Sequence, residues 1–360
     1  MTLKTVGNPR IPPDLLGAGY LEMLARQMTE DLRQIRDALP PGSSRPLVTK
    51  GVSFGTLTHR LNGSWDSSAV SGLPTQSLVS SAATSPSLIV RPWRLSGSIV
   101  SLREMTTSSY NQHLGIQATE RFGVGTDPDG DGVVNEITRG DVTAVVLFEA
   151  TLPVPGRVIP ADANLQRAIA EGEQQFKGIG CSTCHVPALP LVRKGWIYSE
   201  PGRSGHAITV DLSGAALPQP RLTFGGDSVA LDVPAYTDLK LHDITDPSDA
   251  SAQEPLDLNQ PQSSARFHAG NRLFLTRRLW SIGNQPPYWH DGRFTTIREA
   301  IMAHAGEARE ARTAFERLSK PGQDGVIEFL KSLQALPRGT KVRVVDEHFQ
   351  PTDWPLPVMH

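Results

Sequence analysis

The chain has 360 residues, enough for two domains that each bury a substantial core. Its 35 basic and 37 acidic residues nearly cancel, and this balance argues against nucleic acid as a partner. The most apolar stretch, residues 144–148, is far too short to span a bilayer, so we expect no transmembrane segment.

The spacing of apolar residues predicts the secondary structure in chain order. A long helix is predicted over residues 13–38, a Ser-, Gly- and Thr-rich region at 42–109 should form loops with a few short strands, and a short helix follows at 141–150. A Pro-Val-Pro segment then marks a boundary between residues 1–155 and 156–360. Further helices are predicted over residues 164–177, 295–305, 307–318 and 322–336. We therefore expect a mainly α fold with long irregular loops.

A haem-attachment motif follows the helix predicted over residues 164–177. Cys181, Cys184 and His185 form the C-x-x-C-H pattern of c-type haem attachment. Two thiols a short turn apart can add to the two vinyl groups on one edge of the haem, and the next residue then directs its imidazole at the iron. The alternatives are a redox dithiol, which would need a βαβ context, and half of a zinc site, which would need more cysteines than the chain has. The motif predicts one covalent haem c per chain, with His185 as an iron ligand.

The second iron ligand is predicted on the helix at residues 295–305. His304 lies on its apolar face, whereas Met302 is about 200° round the helix on a polar face, so only one of them can face the haem. We expect His304 to be the ligand. The alternative is a core histidine near a helix end, and His242 and His290, each followed by an aspartate, are the other candidate ligands.

A candidate calcium loop lies in the first half. Asp127, Asp129 and Asp131 occupy alternate positions beside turn-forming glycines, which matches the first half of an EF-hand loop. The glutamate expected at position twelve of such a loop is a threonine here, and Asn135 or Glu136 could complete a different calcium site. The alternative is a solvated turn that binds no ion.

Several blocks of sequence, together with the haem motif, resemble the di-haem oxidoreductase family of bacterial peroxidases, relatives of di-haem cytochrome c peroxidase. The blocks that carry the resemblance are residues 16–22, 120–123, 236–243, 276–283, 287–293, 299–308 and 327–333. The resemblance implies cytochrome c-like domains of the di-haem peroxidase type, with an incomplete one before residue 156. It also implies His304 as the distal ligand, because relatives carry that ligand at the corresponding place after the His-Asp-Gly motif that begins here at His290. Those relatives bind calcium between their domains, which favours the loop at Asp127.

One departure from the family pattern concerns the number of haems. The family has two C-x-x-C-H motifs and this chain has one, so the missing motif belongs upstream of Met1. The resemblance implies electron transfer within a di-haem peroxidase-like oxidoreductase, with a small cytochrome or cupredoxin as redox partner and hydrogen peroxide as substrate. Catalytic residues are not identified. The alternatives are a mono-haem electron carrier without enzymatic activity and a haem-based sensor.

The expected location is periplasmic or otherwise extracytoplasmic. Haem is normally attached to such cysteines outside the cytoplasm, although residues 1–9 lack the apolar run of a signal peptide. We interpret the chain as one whose targeting segment lies elsewhere.

Overall fold

The structure is a computed structural model that describes residues 11–12, 14–81, 83–200, 208–217, 222, 230–246, 248, 254, 256–257, 260–261, 263–334, 344–345 and 351–352. The α-helices are α1 Ala18–Asp37, α2 Thr75–Leu78, α3 Leu102–Leu114, α4 Thr119–Phe122, α5 Arg139–Ala150, α6 Ala163–Gly178, α7 Ile297–Met302, α8 Arg309–Arg317 and α9 Lys320–Ser332. The strands are β1 Ser43–Thr49, β2 Val52–His59, β3 Trp65–Asp66, β4 Leu189–Val192, β5 Ile197–Ser199, β6 Thr209–Asp211, β7 Ala230–Val233, β8 Leu241–Asp243, β9 Leu273–Leu275, β10 Val344–Val345 and β11 Pro351–Thr352. Short 3-10 helices lie at Cys181–Thr183, Arg193–Trp196, Ala265–Ala269, Ile282–Asn284 and Gly306–Ala308.

The predicted mainly α fold is wrong, since helices take up 39% of the described residues and strands 16%, in several small sheets. β1 and β2 form a hairpin whose turn residues, Lys50 and Gly51, both have positive φ, as a two-residue hairpin turn requires. In the second half, β4 pairs with β7, β5 with β6 and β8 with β9, all antiparallel. These strands have only three or four residues each, too few to show an alternating pattern in the sequence. The described elements do not establish the expected cytochrome c-like domains either.

Most of the predicted helices are present, but several of their ends differ, and the helices α2, α3 and α4 were not predicted. α7 ends at Met302 and is shorter than the helix predicted over residues 295–305. Most of α3 overlaps the region predicted to be loop, residues 42–109. A helix was not predicted there because Ser and Thr residues favour helices weakly. The helix begins where the Ser101 side chain accepts a hydrogen bond from the backbone N–H of Glu104 (3.1 Å). Pro13 and residues 335–336, at the predicted ends of the first and last helices, lie outside the described residues.

Two hydrophobic cores organise the described part of the chain. The first surrounds α1 and includes residues of β4 and β7, so it draws on both sides of the predicted boundary at residue 155. The second core packs α6 against α9 and contains Phe176, Phe315 and Phe329. Where α6 crosses α9, a Cβ on Gly172 would overlap the carbonyl oxygen of Gly325. The division into regions 1–155 and 156–360 stays a prediction.

The helices also bear on the expectation of no transmembrane segment. Among the helices that the structure describes, none combines the length and the apolar character needed to cross a bilayer.

Candidate haem site

A cavity of about 590 Å³ lies beside the second core, and its walls are mostly apolar. Cofactor pockets in proteins typically measure about 300 to 1,000 Å³ and combine apolar walls with a few polar groups. The walls come from α6, the cysteine turn, β8, β9, α7, α8 and α9. The structure brings Cys181, Cys184, His185 and His304 together in the lining of this one cavity. Its size and its donor groups fit a haem.

The two cysteines lie on a tight turn directly after α6. Gly180 has a φ of 90°, which few other residues adopt without strain, and this lets the chain turn into the 3-10 helix Cys181–Thr183. The backbone N–H of His185 then donates to the carbonyl of Cys181 (3.0 Å) and closes the loop. Both thiols are free and half-buried. Burial raises the pKa of Cys181 to about 11, so this thiol is neutral at physiological pH.

The His185 imidazole is oriented by the backbone of a distant segment. Its Nδ1 lies 3.1 Å from the carbonyl oxygen of Tyr236. Because a carbonyl can only accept, Nδ1 carries the proton in this hydrogen bond and Nε2 keeps a lone pair. Burial, with a smaller contribution from His304, lowers the pKa of His185 to about 4. His185 is therefore held as a neutral imidazole, which is the form that binds metal ions.

The His304 imidazole is held in the same way, by a backbone carbonyl. It follows the end of α7, and its Nδ1 donates to the carbonyl oxygen of Ala300 (2.8 Å), which again leaves the Nε2 lone pair available. Burial lowers the pKa of His304, so this imidazole is also neutral. The Trp289 ring stands nearly perpendicular to it, with ring centroids 5.1 Å apart.

The separation of the two histidines fits a metal ion between them. The ring centroids of His185 and His304 lie 6.5 Å apart. A metal ion bound by two opposed imidazole nitrogens at about 2.0 Å each would place the ring centroids roughly 6 Å apart. Met302, the competing sulfur ligand, is 39% exposed and does not line the cavity, in agreement with the argument from the helix faces.

The other two candidate histidines also line the cavity, but their surroundings differ. His242 has both ring nitrogens engaged by carboxylates, Nε2 by Asp238 (2.8 Å) and Nδ1 by Glu307 (2.7 Å). Burial opposes protonation of His242, yet its hydrogen bonds, first of all that to Asp238, raise its pKa to about 11. His290 stacks on Phe274, with ring centroids 4.2 Å apart.

The partners of His242 were missed in the sequence. The adjacent Asp243, expected to orient the ring, binds Arg272 instead (2.7 Å). Asp238 lies four residues before His242, in a block that resembles the family, and this spacing could have indicated the contact between them. Glu307 could not be inferred, because the contact depends on how distant segments meet.

The candidate calcium loop brings its three aspartates together. Ligand oxygens of Asp127, Asp129 and Asp131 lie within 4.8 Å of one another. Hydrogen bonds from the backbone, the strongest being that of Gly132, lower the pKa of Asp127. The side-chain oxygen of Asn135 accepts from the backbone N–H of Gly125 (2.8 Å). Binding of calcium by these residues stays a prediction.

Comparisons with known proteins bear on the identity of the chain. The family model described as "Di-haem oxidoreductase, putative peroxidase" matches residues 104–333, more than half of the chain. A search of the curated proteins finds no match. Among solved structures, the chain is similar to hydrazine synthase of Kuenenia stuttgartiensis, with 18% identity and a TM-score of 0.32. That match covers 58% of this chain and 60% of the hydrazine synthase chain. Because the family model matches more than half of the chain, the chain belongs to the di-haem oxidoreductase family, a family of haem-related oxidoreductases.

Proposed function

We propose that this chain is a c-type haem electron-transfer protein and forms part of a di-haem peroxidase-like oxidoreductase. In this proposal Cys181 and Cys184 bind the haem covalently, and His185 and His304 are the two iron ligands. The observation that carries it is the pair of neutral imidazoles with ring centroids 6.5 Å apart in one cavity with both cysteines.

The residues of the chain prepare the site before any cofactor binds. The carbonyl groups of Tyr236 and Ala300 fix which nitrogen of each histidine is protonated, and such partners commonly orient metal-binding imidazoles. The cavity around the histidines has mostly apolar walls. When bound, the haem supplies reversible one-electron chemistry. The protein supplies the attachment, the orientation and a largely apolar environment.

Electron transfer fits this ligand set better than peroxide reduction at the same haem. Peroxide chemistry needs an open position on the iron, and two histidine ligands leave none. We therefore propose that peroxide, as the substrate of the complete enzyme, reacts elsewhere, and that this haem receives electrons from a small cytochrome or cupredoxin. Because covalent haem is attached outside the cytoplasm, the proposed location is the periplasm or another extracytoplasmic compartment.

Covalent attachment is the direct test of this function. Expressed with a cytochrome c maturation system, the wild-type chain should hold one haem that survives denaturation and acid-acetone extraction. The double variant Cys181→Ala with Cys184→Ala should hold none, while Met302→Leu should match the wild type. Haem that extracts freely from the wild-type protein would contradict the proposal.

A mono-haem electron carrier is the second candidate function. It is favoured by one observation, that both cysteines of the chain belong to a single attachment motif. Consumption of hydrogen peroxide with a reduced electron donor tests whether the haem of this chain reacts with peroxide itself. Robust turnover by this chain alone would mean that its own haem reacts with peroxide and that His304 is displaced. Ready binding of carbon monoxide would instead indicate a haem-based sensor.

A further inference from the structure

Arg277 lines the haem cavity at a place where the protein offers its charge little compensation. It lies between β9 and the 3-10 helix Ile282–Asn284, is half-buried, and is one of the residues that line the cavity. A second cavity of about 30 Å³, room for about one water, shares Arg277, Leu275 and Thr276 with the large cavity. Arg277 therefore lies where the two cavities adjoin.

The hydrogen bonds around Arg277 leave it without a carboxylate partner among the described residues. Its guanidinium donates to the side-chain oxygen of Gln285 (3.2 Å). The neighbouring Arg278 donates to the backbone carbonyl of Asp14. The Asp14 carboxylate accepts from the Ser281 hydroxyl (3.0 Å) and from the Gln285 amide (3.0 Å). The guanidinium groups of Arg277 and Arg278 therefore lie near a single carboxylate, that of Asp14, which can balance only one of their two positive charges.

Arg277 remains charged in spite of its burial. Burial, followed by repulsion from Arg278, lowers its pKa to about 10. At physiological pH the group is still protonated, and a half-buried cation that shares the one nearby carboxylate, Asp14, with Arg278 is incompletely compensated. A bound anionic group would complete that compensation.

The other arginine of the cavity is differently placed. Arg312 lies on α8, where it pairs with Glu316 (3.6 Å). The preceding Ala311 would touch a Cβ placed on Gly180, so this part of α8 lies against the cysteine turn. Arg312 therefore has a carboxylate of its own and stands on the side where the haem would be attached.

We propose that Arg277 binds a carboxylate of the molecule that occupies the cavity. Resting on the proposed function, that carboxylate is a propionate of the haem. The propionates lie on the edge of the macrocycle opposite the vinyl groups, away from the cysteine turn. A guanidinium presents two parallel N–H donors to a carboxylate, which makes this pairing strong and directional. Gln285 holds the guanidinium in place, so it is a positioning residue.

The reduction potential and the infrared spectrum test this contact. Without Arg277 the propionate charge is uncompensated and stabilises the oxidised iron. In Arg277→Gln the ratio of reduced to oxidised haem at a given potential should fall about tenfold, which is about 59 mV for a one-electron couple. Arg277→Lys keeps the charge but loses the paired geometry, so the ratio should fall by about threefold. With haem carrying ¹³C-labelled propionates, the carboxylate band should shift in both variants.

A matched control comes from the same segment. Arg272→Gln removes the same charge from a side chain that is 51% exposed and paired with Asp243, so the potential and the band should stay at their wild-type values. If the potential shifts in the Arg277 variants but the carboxylate band does not, Arg277 does not contact the propionate. The absence of both shifts would mean the same. If Arg277→Gln fails to fold, the reduction potential and the carboxylate band of Arg277→Lys decide whether the contact exists. Absence of covalent haem from the wild type would contradict the proposed function instead.

Discussion

The haem cavity and the Asp127 loop are both candidate sites for a metal ion, and they hold their ligand groups in different ways. In the loop, the Asp127 carboxylate accepts hydrogen bonds from the backbone of Gly130 (2.8 Å) and Gly132 (3.0 Å), both within five residues. In the cavity, His185 is oriented by a carbonyl 51 residues away and keeps one nitrogen available. The loop satisfies its own ligands locally, whereas the cavity holds buried ligands through long-range packing. We therefore expect changes in the cavity to have large effects and changes in the loop to have small ones.

The largest change in stability is expected at the Asp238–His242 pair. Asp238 and His242 are almost fully buried, and breaking such a pair leaves an uncompensated interior charge. Asp238→Asn should lower the free energy of unfolding by roughly 3 kcal/mol at neutral pH. The matched control is Asp324→Asn, whose side chain is 47% exposed and pairs with Arg298, and which should cost less than about 1 kcal/mol.

The pH dependence of that difference follows from the pKa of His242. Burial opposes protonation of His242, but hydrogen bonds to Asp238 and, in the haem-free chain, to Cys184 raise its folded-state pKa from the ordinary value of about 6.5 to about 11. The stabilisation is therefore fully present below about pH 6.5 and is lost as the pH rises toward 11. Chemical denaturation of wild type and Asp238→Asn across this range checks the sign. A gap between the two proteins that widens with rising pH would contradict the assignment.

The helix crossing behind the cavity is expected to be the next most sensitive place. A Cβ on Gly172 would overlap the carbonyl oxygen of Gly325, so α6 and α9 would have to separate. Gly172→Ala should lower the free energy of unfolding by about 2 kcal/mol, as overpacked cores generally do. Gly140→Ala, in the first turn of α5, is the control and should be nearly neutral, because a Cβ there would make only ordinary contact with the Thr138 hydroxyl oxygen (3.7 Å). Equal effects of the two substitutions would mean that the close crossing does not matter.

The smallest effect is expected in the Asp127 loop. If the loop binds calcium, calcium at about ten times its Kd should stabilise the protein by about 1.4 kcal/mol, because only the folded state binds it. Thermal unfolding with and without calcium measures this. Asp129→Asn combined with Asp131→Asn should remove the response and change little in the absence of calcium. A wild-type protein that ignores calcium would leave the segment as a turn.

The same contrast explains what the sequence could and could not predict. Cys181, Cys184 and His185 could be predicted as site residues because their spacing is local. His304 could be predicted because a helix over residues 295–305 would place it and Met302 on different faces, although α7 ends at Met302. The Tyr236 carbonyl, Asp238 and Glu307 were missed, since they reach the site only when distant segments fold together. The fold class failed for a related reason. The hairpins of the second half use strands too short to show a pattern, and their pairing depends on tertiary contacts.

The central claim is that His185 and His304 bind the haem iron from opposite sides, and one spectroscopic comparison tests it most directly. The wild-type ferric protein should be low-spin and lack the charge-transfer band of a thioether–iron bond. His304→Ala should become high-spin or bind added ligands such as carbon monoxide, whereas Met302→Leu should keep the wild-type spectrum. A thioether band in the wild type that disappears in Met302→Leu, with His304→Ala unchanged, would contradict the claim.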